Sequence, residues 1–150
     1  MLSDNIFLKI AEKKIPARII HEDEHCLAFH DVNPQAPIHV LVIPRKVIPT
    51  HADIKDEDRE LLGHLHLVAA QLAEKLGIGD GYRLVLNCKE RAGQTVPHLH
   101  LHLVAAQLAG KLGVSDGYRL VFNCKERAGQ TVPHLHLHLL GGRDFGWPPG

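Results

Sequence analysis

The residues best suited to chemistry lie in one short string, Gly129-Gln130-Thr131-Val132-Pro133-His134-Leu135-His136-Leu137-His138-Leu139-Leu140. On a β-strand, side chains two apart share a face at roughly 6.5 to 7 Å, so His134, His136 and His138 make a row of imidazoles while the leucines point into a core. A neutral imidazole is a competent nucleophile near pH 7. It can take a transferred group on nitrogen that water then removes, which splits one hard displacement into two easier ones. Two plainer readings stand beside this one. Alternation by itself says only that a strand is half-buried. His-x-His spacing also suits zinc, which would need a further ligand or a water that the neighbouring sequence does not offer.

The string occurs twice. Residues 64–103 recur at 100–139, an offset of 36, and differ only at Glu74/Gly110, Ile78/Val114, Gly79/Ser115 and Leu86/Phe122. His98, His100 and His102 therefore form an equivalent triad, with Thr95 and Asn87 matching Thr131 and Asn123. Solenoid repeats share a pattern and differ elsewhere, so near-identity of this kind reads instead as a tandem duplication of 64–99 as 100–135. Both seams fall on His-Leu-His-Leu, which stands at 64–67, 100–103 and 136–139.

The elements that must position the histidines read as α+β. Asp4 to Ala11, with Ile6, Phe7 and Ile10 at helical spacing, predicts a short helix capped by Ser3 or Asp4. Arg18 to Glu22, Cys26 to Asp31 and His39 to Pro44 read as strands separated by Glu-Asp-Glu and Asn-Pro-Gln-Ala-Pro turns. Asp56 to Leu76 is a long helix with one stripe of Leu61, Leu65, Val68, Leu72 and Leu76, closed by Gly77. Tyr82 to Asn87 is a strand and Lys89 to Gln94 a turn, after which the second copy repeats the pattern. Pro97 to Leu112 is open between two forms. As a strand it puts His98, His100 and His102 on one face; as a helix it makes a stripe of Leu101, Val104, Leu108 and Leu112 and disperses the triad. The expectation is an antiparallel sheet of about five strands with helices on one face, plus a duplicated helix–strand–strand unit, in a single domain spanning 1–150.

Composition narrows the function classes. Lys plus Arg (17) balance Asp plus Glu (17), so the field that gathers nucleic acid or an anionic membrane is missing. The odd cysteine count, Cys26, Cys88 and Cys124, disfavours a secreted disulfide framework and points to reduced thiols in a cytoplasmic setting. Residues 1–14 lack the apolar core of a signal peptide, and no apolar run approaches a membrane span. What stands out is 13 histidines.

With its Gly-Gln-Thr prelude, the His-x-His-x-His string resembles the defining motif of the histidine triad family. Ile15-Pro-Ala-Arg-Ile-Ile, Cys26-Leu-Ala-Phe-His-Asp, Pro34-Gln-Ala-Pro, Leu41-Val-Ile-Pro and the terminal Gly141-Gly-Arg-Asp-Phe-Gly-Trp-Pro-Pro-Gly are similar to the Hint branch in particular. The resemblance implies a nucleotide hydrolase that cleaves the phosphorus–nitrogen bond of a purine nucleoside phosphoramidate, or an acyl or aminoacyl adenylate, with no metal or cofactor. It implies His136 as nucleophile, flanked by His134 and His138 holding the ring and the phosphoryl oxygens. Thr131 stands where the family commonly has serine, placed to hand a proton to the leaving amine, and Gln130 contacts the same phosphate. Asn123 and His39 correspond to positions near the phosphate and Asp31 to the acceptor of the ribose hydroxyls. Ile6, Phe7, Ile10, Phe29 and Val32 correspond to the purine pocket. Without the family match, Ile6, Ile10 and Val32 would read as core, Asp31 and Asn123 as turn residues, His39 as a satisfied strand histidine and Trp147 as packing for the tail.

Only the second triad runs on into the Trp-Pro-Pro-Gly tail, so the expected working site is His134, His136 and His138. The resemblance further implies a two-fold homodimer in which the long helix and penultimate strand of each subunit meet and the tail reaches the neighbouring site. Those are the doubled elements, and they are expected at that interface or exchanged between chains. The alternative function is a zinc- or nucleotide-binding module whose turnover the duplication impairs.

Overall fold

The computed structural model describes residues 5–105, 118–141 and 144–148. The helix α1 spans Ile6–Ala11, followed by β1 (Ile19–Glu22), β2 (Cys26–His30), β3 (Ile38–Pro44), the long helix α2 (Arg59–Lys75), β4 (Tyr82–Cys88), β5 (Leu101–Ala105), β6 (Tyr118–Cys124) and β7 (His138–Gly141). The strands form one antiparallel sheet in the order β1-β2-β3-β5-β4-β6-β7. This is the expected α+β fold with a wider sheet than the five strands anticipated, because β6 and β7 extend it. No helix among the described residues is long and apolar enough to cross a membrane.

Local chemistry sets the element ends. Asn5, rather than the expected Ser3 or Asp4, which lie outside the described residues, caps α1 by accepting hydrogen bonds from the backbone N–H groups of Phe7 and Leu8. At the end of α2, Gly77 takes φ +72, a left-handed conformation open to glycine. The Gly77 and Ile78 N–H groups then close back on the carbonyls of Glu74 and Ala73.

The sheet carries a helix on each face, which explains why β3 is an almost unbroken apolar run. Val40 and Val42 meet the α2 stripe of Leu65, Val68 and Leu72, joined by Leu84, Leu86, Leu101, Leu103 and Leu120. From the opposite face Leu27, Phe29, Leu41 and Ile43 meet Phe7 and Ile10. The long helix thus sits as expected, while short α1 lies on the other side. Each fully buried leucine, such as Leu27 or Leu103, contributes about 2–3 kcal/mol of transfer free energy.

Within the open segment Leu101–Ala105 is strand, 97–100 is irregular chain leading into it, and 106–112 lies outside the described residues. Strand wins because β5 is laddered on both sides, by β3 and by β4, and a helix there would strip two edges of their partners. The two copies make matching hairpins: Val85 faces His102 in the first and Val121 faces His138 in the second. They differ in what lies beyond. β5 has β3 alongside, whereas β7 pairs, among the described residues, with β6 alone, because residues 1–63 exist once and cannot flank both copies.

Candidate functional site

On the α1 face of the sheet, β3 and β5 bring His39 and His102 together, with His39 Nε2 2.9 Å from His102 Nδ1. The Gln35 N–H donates to His39 Nδ1 at 3.1 Å, which leaves the His39 proton on Nε2, facing His102 and, at 3.4 Å, Asp31. His102 Nδ1 accepts, so its own proton sits on Nε2.

His98 and His100 continue the row. Asn5 Nδ2 donates to His98 Nδ1 at 2.9 Å, while His98 Nε2–H donates to the Pro44 carbonyl at 2.8 Å. His100 donates Nδ1–H to the His98 carbonyl at 2.7 Å, so its Nε2 carries an unprotonated lone pair. The Phe7 ring stands edge-on to His100 at 5.0 Å, and His100 is 4.8 Å from His102. Trp147 covers the far end, 4.4 Å from His102 and 5.4 Å from His39.

Burial governs the charge state of the row. It pushes His100 down to about 4, against the opposing bond to the His98 carbonyl. His102 falls well below the ordinary imidazole value through burial, then the neighbouring His100, His39 and Arg119 charges. His39 and His98 are lowered by burial too, partly offset by Asp31 and by the Pro44 carbonyl. At neutral pH the four imidazoles are uncharged, and His100 presents a free nitrogen.

Asn5 does two jobs with one amide: its oxygen caps α1 and its nitrogen fixes His98. Asn5→Ala should cost about 1–3 kcal/mol in urea unfolding, since it removes a cap and leaves a buried His98 nitrogen without its donor. An unchanged midpoint would show that neither bond matters to stability.

The structure places the sequence-predicted residues unevenly. Asp31, His39, Phe7 and Phe29 gather at the first triad, with Phe7 and Phe29 5.7 Å apart. Ile10 is core, the plainer reading. Ile6, at 46% exposed, and Val32, at 95%, are surface residues, so the core reading fails for them. His134, His136, His138, Thr131, Gln130 and Asn123 stand elsewhere. His136 makes the same internal bond as His100, Nδ1 to the His134 carbonyl at 2.7 Å, but Leu135 between them is 77% exposed. Gln130 binds its own turn, and Asn123 accepts from Arg83. A cavity of about 660 Å³ is lined by Asn123, Gln130 and His134, and none of Asp31, His39 and Phe7 lies on it. Because β3 exists once and pairs with β5, His39 and Asp31 stand beside the first triad, apart from His134, His136 and His138.

Three contributors were missed from sequence: Asn5, Arg119 and the position of Trp147. Arg119 is 4% exposed, bonded to Asn87 at 2.6 Å and to the Ala92 and Gly146 carbonyls, with Phe145 and Trp147 across its guanidinium at 5.0 and 5.9 Å. An arginine inside an otherwise apolar strand was the available signal. Asp31, His39 and His102 offer ligand atoms within 4.8 Å of one another and could hold a metal ion, as could His21, Asp23 and Cys26.

Fold and site together define a class: an α+β protein whose antiparallel sheet carries a buried row of three alternating histidines beneath a short helix. The chain belongs to the HIT domain family, which matches residues 12–109 and again 104–145. It is 46% identical over 150 residues, all of both chains, to an uncharacterised HIT-like protein of Synechocystis sp.. It is 48% identical over 99 residues, 66% of this chain and 87% of the other, to one from Synechococcus elongatus. Among solved structures it resembles a HIT family hydrolase from Legionella pneumophila, with TM-score 0.68 and 45% identity over 70% of this chain and 95% of that one. A HIT family hydrolase from Clostridium thermocellum gives TM-score 0.69 and 41% identity over 73% and 96%.

Proposed function

We propose that the chain is a nucleotide hydrolase of the Hint branch, acting on purine nucleoside phosphoramidates or acyl adenylates through His98, His100 and His102. The observation that carries this reading is the state of His100: its Nδ1–H is committed to the His98 carbonyl, its Nε2 is bare, and burial keeps the ring neutral. His100 Nε2 attacks phosphorus and the P–N bond breaks. The amine leaves with a proton from Thr95, the first-copy counterpart of Thr131. Water then attacks phosphorus and gives one proton back to the Thr95 oxygen, the P–Nε2 bond breaks, and nucleoside monophosphate departs with the imidazole and the threonine hydroxyl restored. His102, bearing its proton on Nε2, supplies a hydrogen-bond donor to the phosphoryl oxygens as charge develops, while His98, its own Nε2–H held by the Pro44 carbonyl, orients the His100 ring through its backbone carbonyl. Asp31 takes the ribose hydroxyls, and the exposed Ile6 and Val32 flank the base with Phe7 and Phe29. The relatives named as hydrolases support the reaction class.

Incubation with adenosine 5′-phosphoramidate should release AMP at a rate that a chelator leaves unchanged, and acid-free quenching with mass spectrometry should find a nucleotidyl group on the peptide carrying His100. Absence of AMP above background would sink the proposal. Release abolished by chelation and restored by zinc would favour the Asp31, His39 and His102 cluster as a metal centre instead.

A further inference from the structure

The strands β4 and β6 are the same strand twice, Tyr-Arg-Leu-Val-Leu-Asn-Cys and Tyr-Arg-Leu-Val-Phe-Asn-Cys, and they pair with each other. The register places Val85 opposite Val121, its own counterpart in the repeat. Around that point every pair is reciprocal: Arg83 faces Asn123 and Asn87 faces Arg119, Tyr82 faces Cys124 and Cys88 faces Tyr118. The reciprocity extends to side chains. Arg83 Nε donates to Asn123 at 2.8 Å and Arg119 Nε to Asn87 at 2.6 Å, and each arginine's Nη2 reaches the equivalent carbonyl, Ala128 or Ala92, at 3.2 Å. Pairing in which residue i meets j and j meets i is the property of a two-fold interface between identical chains. A tandem repeat has no need of it.

Across this axis the second copy reaches the first triad. Arg119 belongs to the second copy, yet it holds the Gly146 carbonyl and lies against Phe145 and Trp147, the latter resting on His102 and His39. The Phe145 N–H also bonds the Arg91 carbonyl of the first copy, at 3.0 Å. The long helix joins in from the other face, where His66 meets Phe122 of β6 at 5.0 Å.

We infer that the second copy is a built-in surrogate for a second subunit: it occupies within one chain the seat that β4 of another copy would take, and it delivers Trp147 to the histidine row in cis. Two consequences follow. The full chain has its β4 edge filled and is a monomer, in place of the homodimer expected from sequence. A chain lacking residues 100–135, which joins Leu99 to His136 and keeps a His-x-His-x-His string, has one such strand and must find the other on a second chain.

Light scattering after size exclusion, at about 50 µM, tests this without reference to turnover, so its outcome is separable from that of the proposed hydrolysis. The full chain should give the mass of one chain and the shortened chain twice its own. A full chain of two-chain mass, or a folded shortened chain of one-chain mass, overturns the inference. If the shortened chain fails to fold, Val121→Pro in the full chain, which breaks β6 at the axis and bares β4, decides the matter: a shift to twice the mass supports the inference and an unchanged mass refutes it. Tail delivery has its own readout, because Trp147 is the sole tryptophan. Acrylamide quenching of its fluorescence should rise at least about two-fold in Arg119→Ala and stay unchanged in Arg83→Ala, its repeat counterpart. Equal quenching in both overturns the assignment of Arg119 as the residue that positions the tail.

Discussion

Turnover of adenosine 5′-phosphoramidate should fall by at least about 10³-fold in His100→Ala and stay within about two-fold of the parent in His136→Ala. The comparison is sharp because the two residues are locally alike. Both donate Nδ1–H to the carbonyl two residues back at 2.7 Å, and both stand 4.8 Å from the next histidine ring. If three alternating imidazoles on a strand were sufficient, the two variants would lose similar fractions of activity. What separates them is surroundings. His100 has Phe7 against its ring, His39 beyond His102 and Trp147 over the end of the row. Of the second triad only His138 lies on a strand, the edge strand β7, and His134 and His136 precede it among the exposed Val132, Leu135 and Leu137. Electrostatic stabilisation of a phosphoryl group depends on donors fixed in a desolvated setting, which only the first triad has. Loss confined to His136→Ala would return the site to the second copy, and comparable melting curves for both variants would exclude unfolding as the cause.

The alternation of His and Leu made the triad and its strand legible, and the capping glycine and five-residue apolar stripe made α2 legible, because these are local patterns with local causes. The choice between copies was not legible. It depends on which hairpin β3 pairs with, a question of long-range strand order that the identical strings of 98–102 and 134–138 cannot answer from within. Continuity with the tail pointed to the second triad. The tail instead folds back, and Arg119 draws Trp147 onto the first. Ile6 and Val32 show the converse limit: their apolar character suggested core, and their exposure comes from standing outside the contact between α1 and the sheet. Arg83 and Arg119 were hidden for a similar reason. Each looks like an interruption in an apolar strand until the second copy of that strand lies beside it and supplies the asparagine it binds.

Stability should hold steady above about pH 6.5 and fall as the pH drops toward 4, with His100 alone accounting for about 3 kcal/mol of the loss. The sign follows from the direction of the shift. In the unfolded chain His100 takes up a proton near the ordinary imidazole value of about 6.5, whereas in the folded chain burial holds it down to about 4. Between those limits the unfolded state binds more protons, so acidification favours unfolding; below the lower limit both states are protonated and the contribution is spent. His98, His102 and His39, all lowered by burial, steepen the same descent. Urea unfolding of the parent and of His100→Gln at intervals from pH 7.5 to 4 isolates the term, since carboxylates such as Asp23 titrate alike in both proteins. The difference in unfolding free energy between parent and variant should shift by about 3 kcal/mol across that window in favour of the variant. A constant difference would mean that His100 is charged or solvent-exposed in the folded chain, and the bare Nε2 on which the nucleophile depends would then be lost with it.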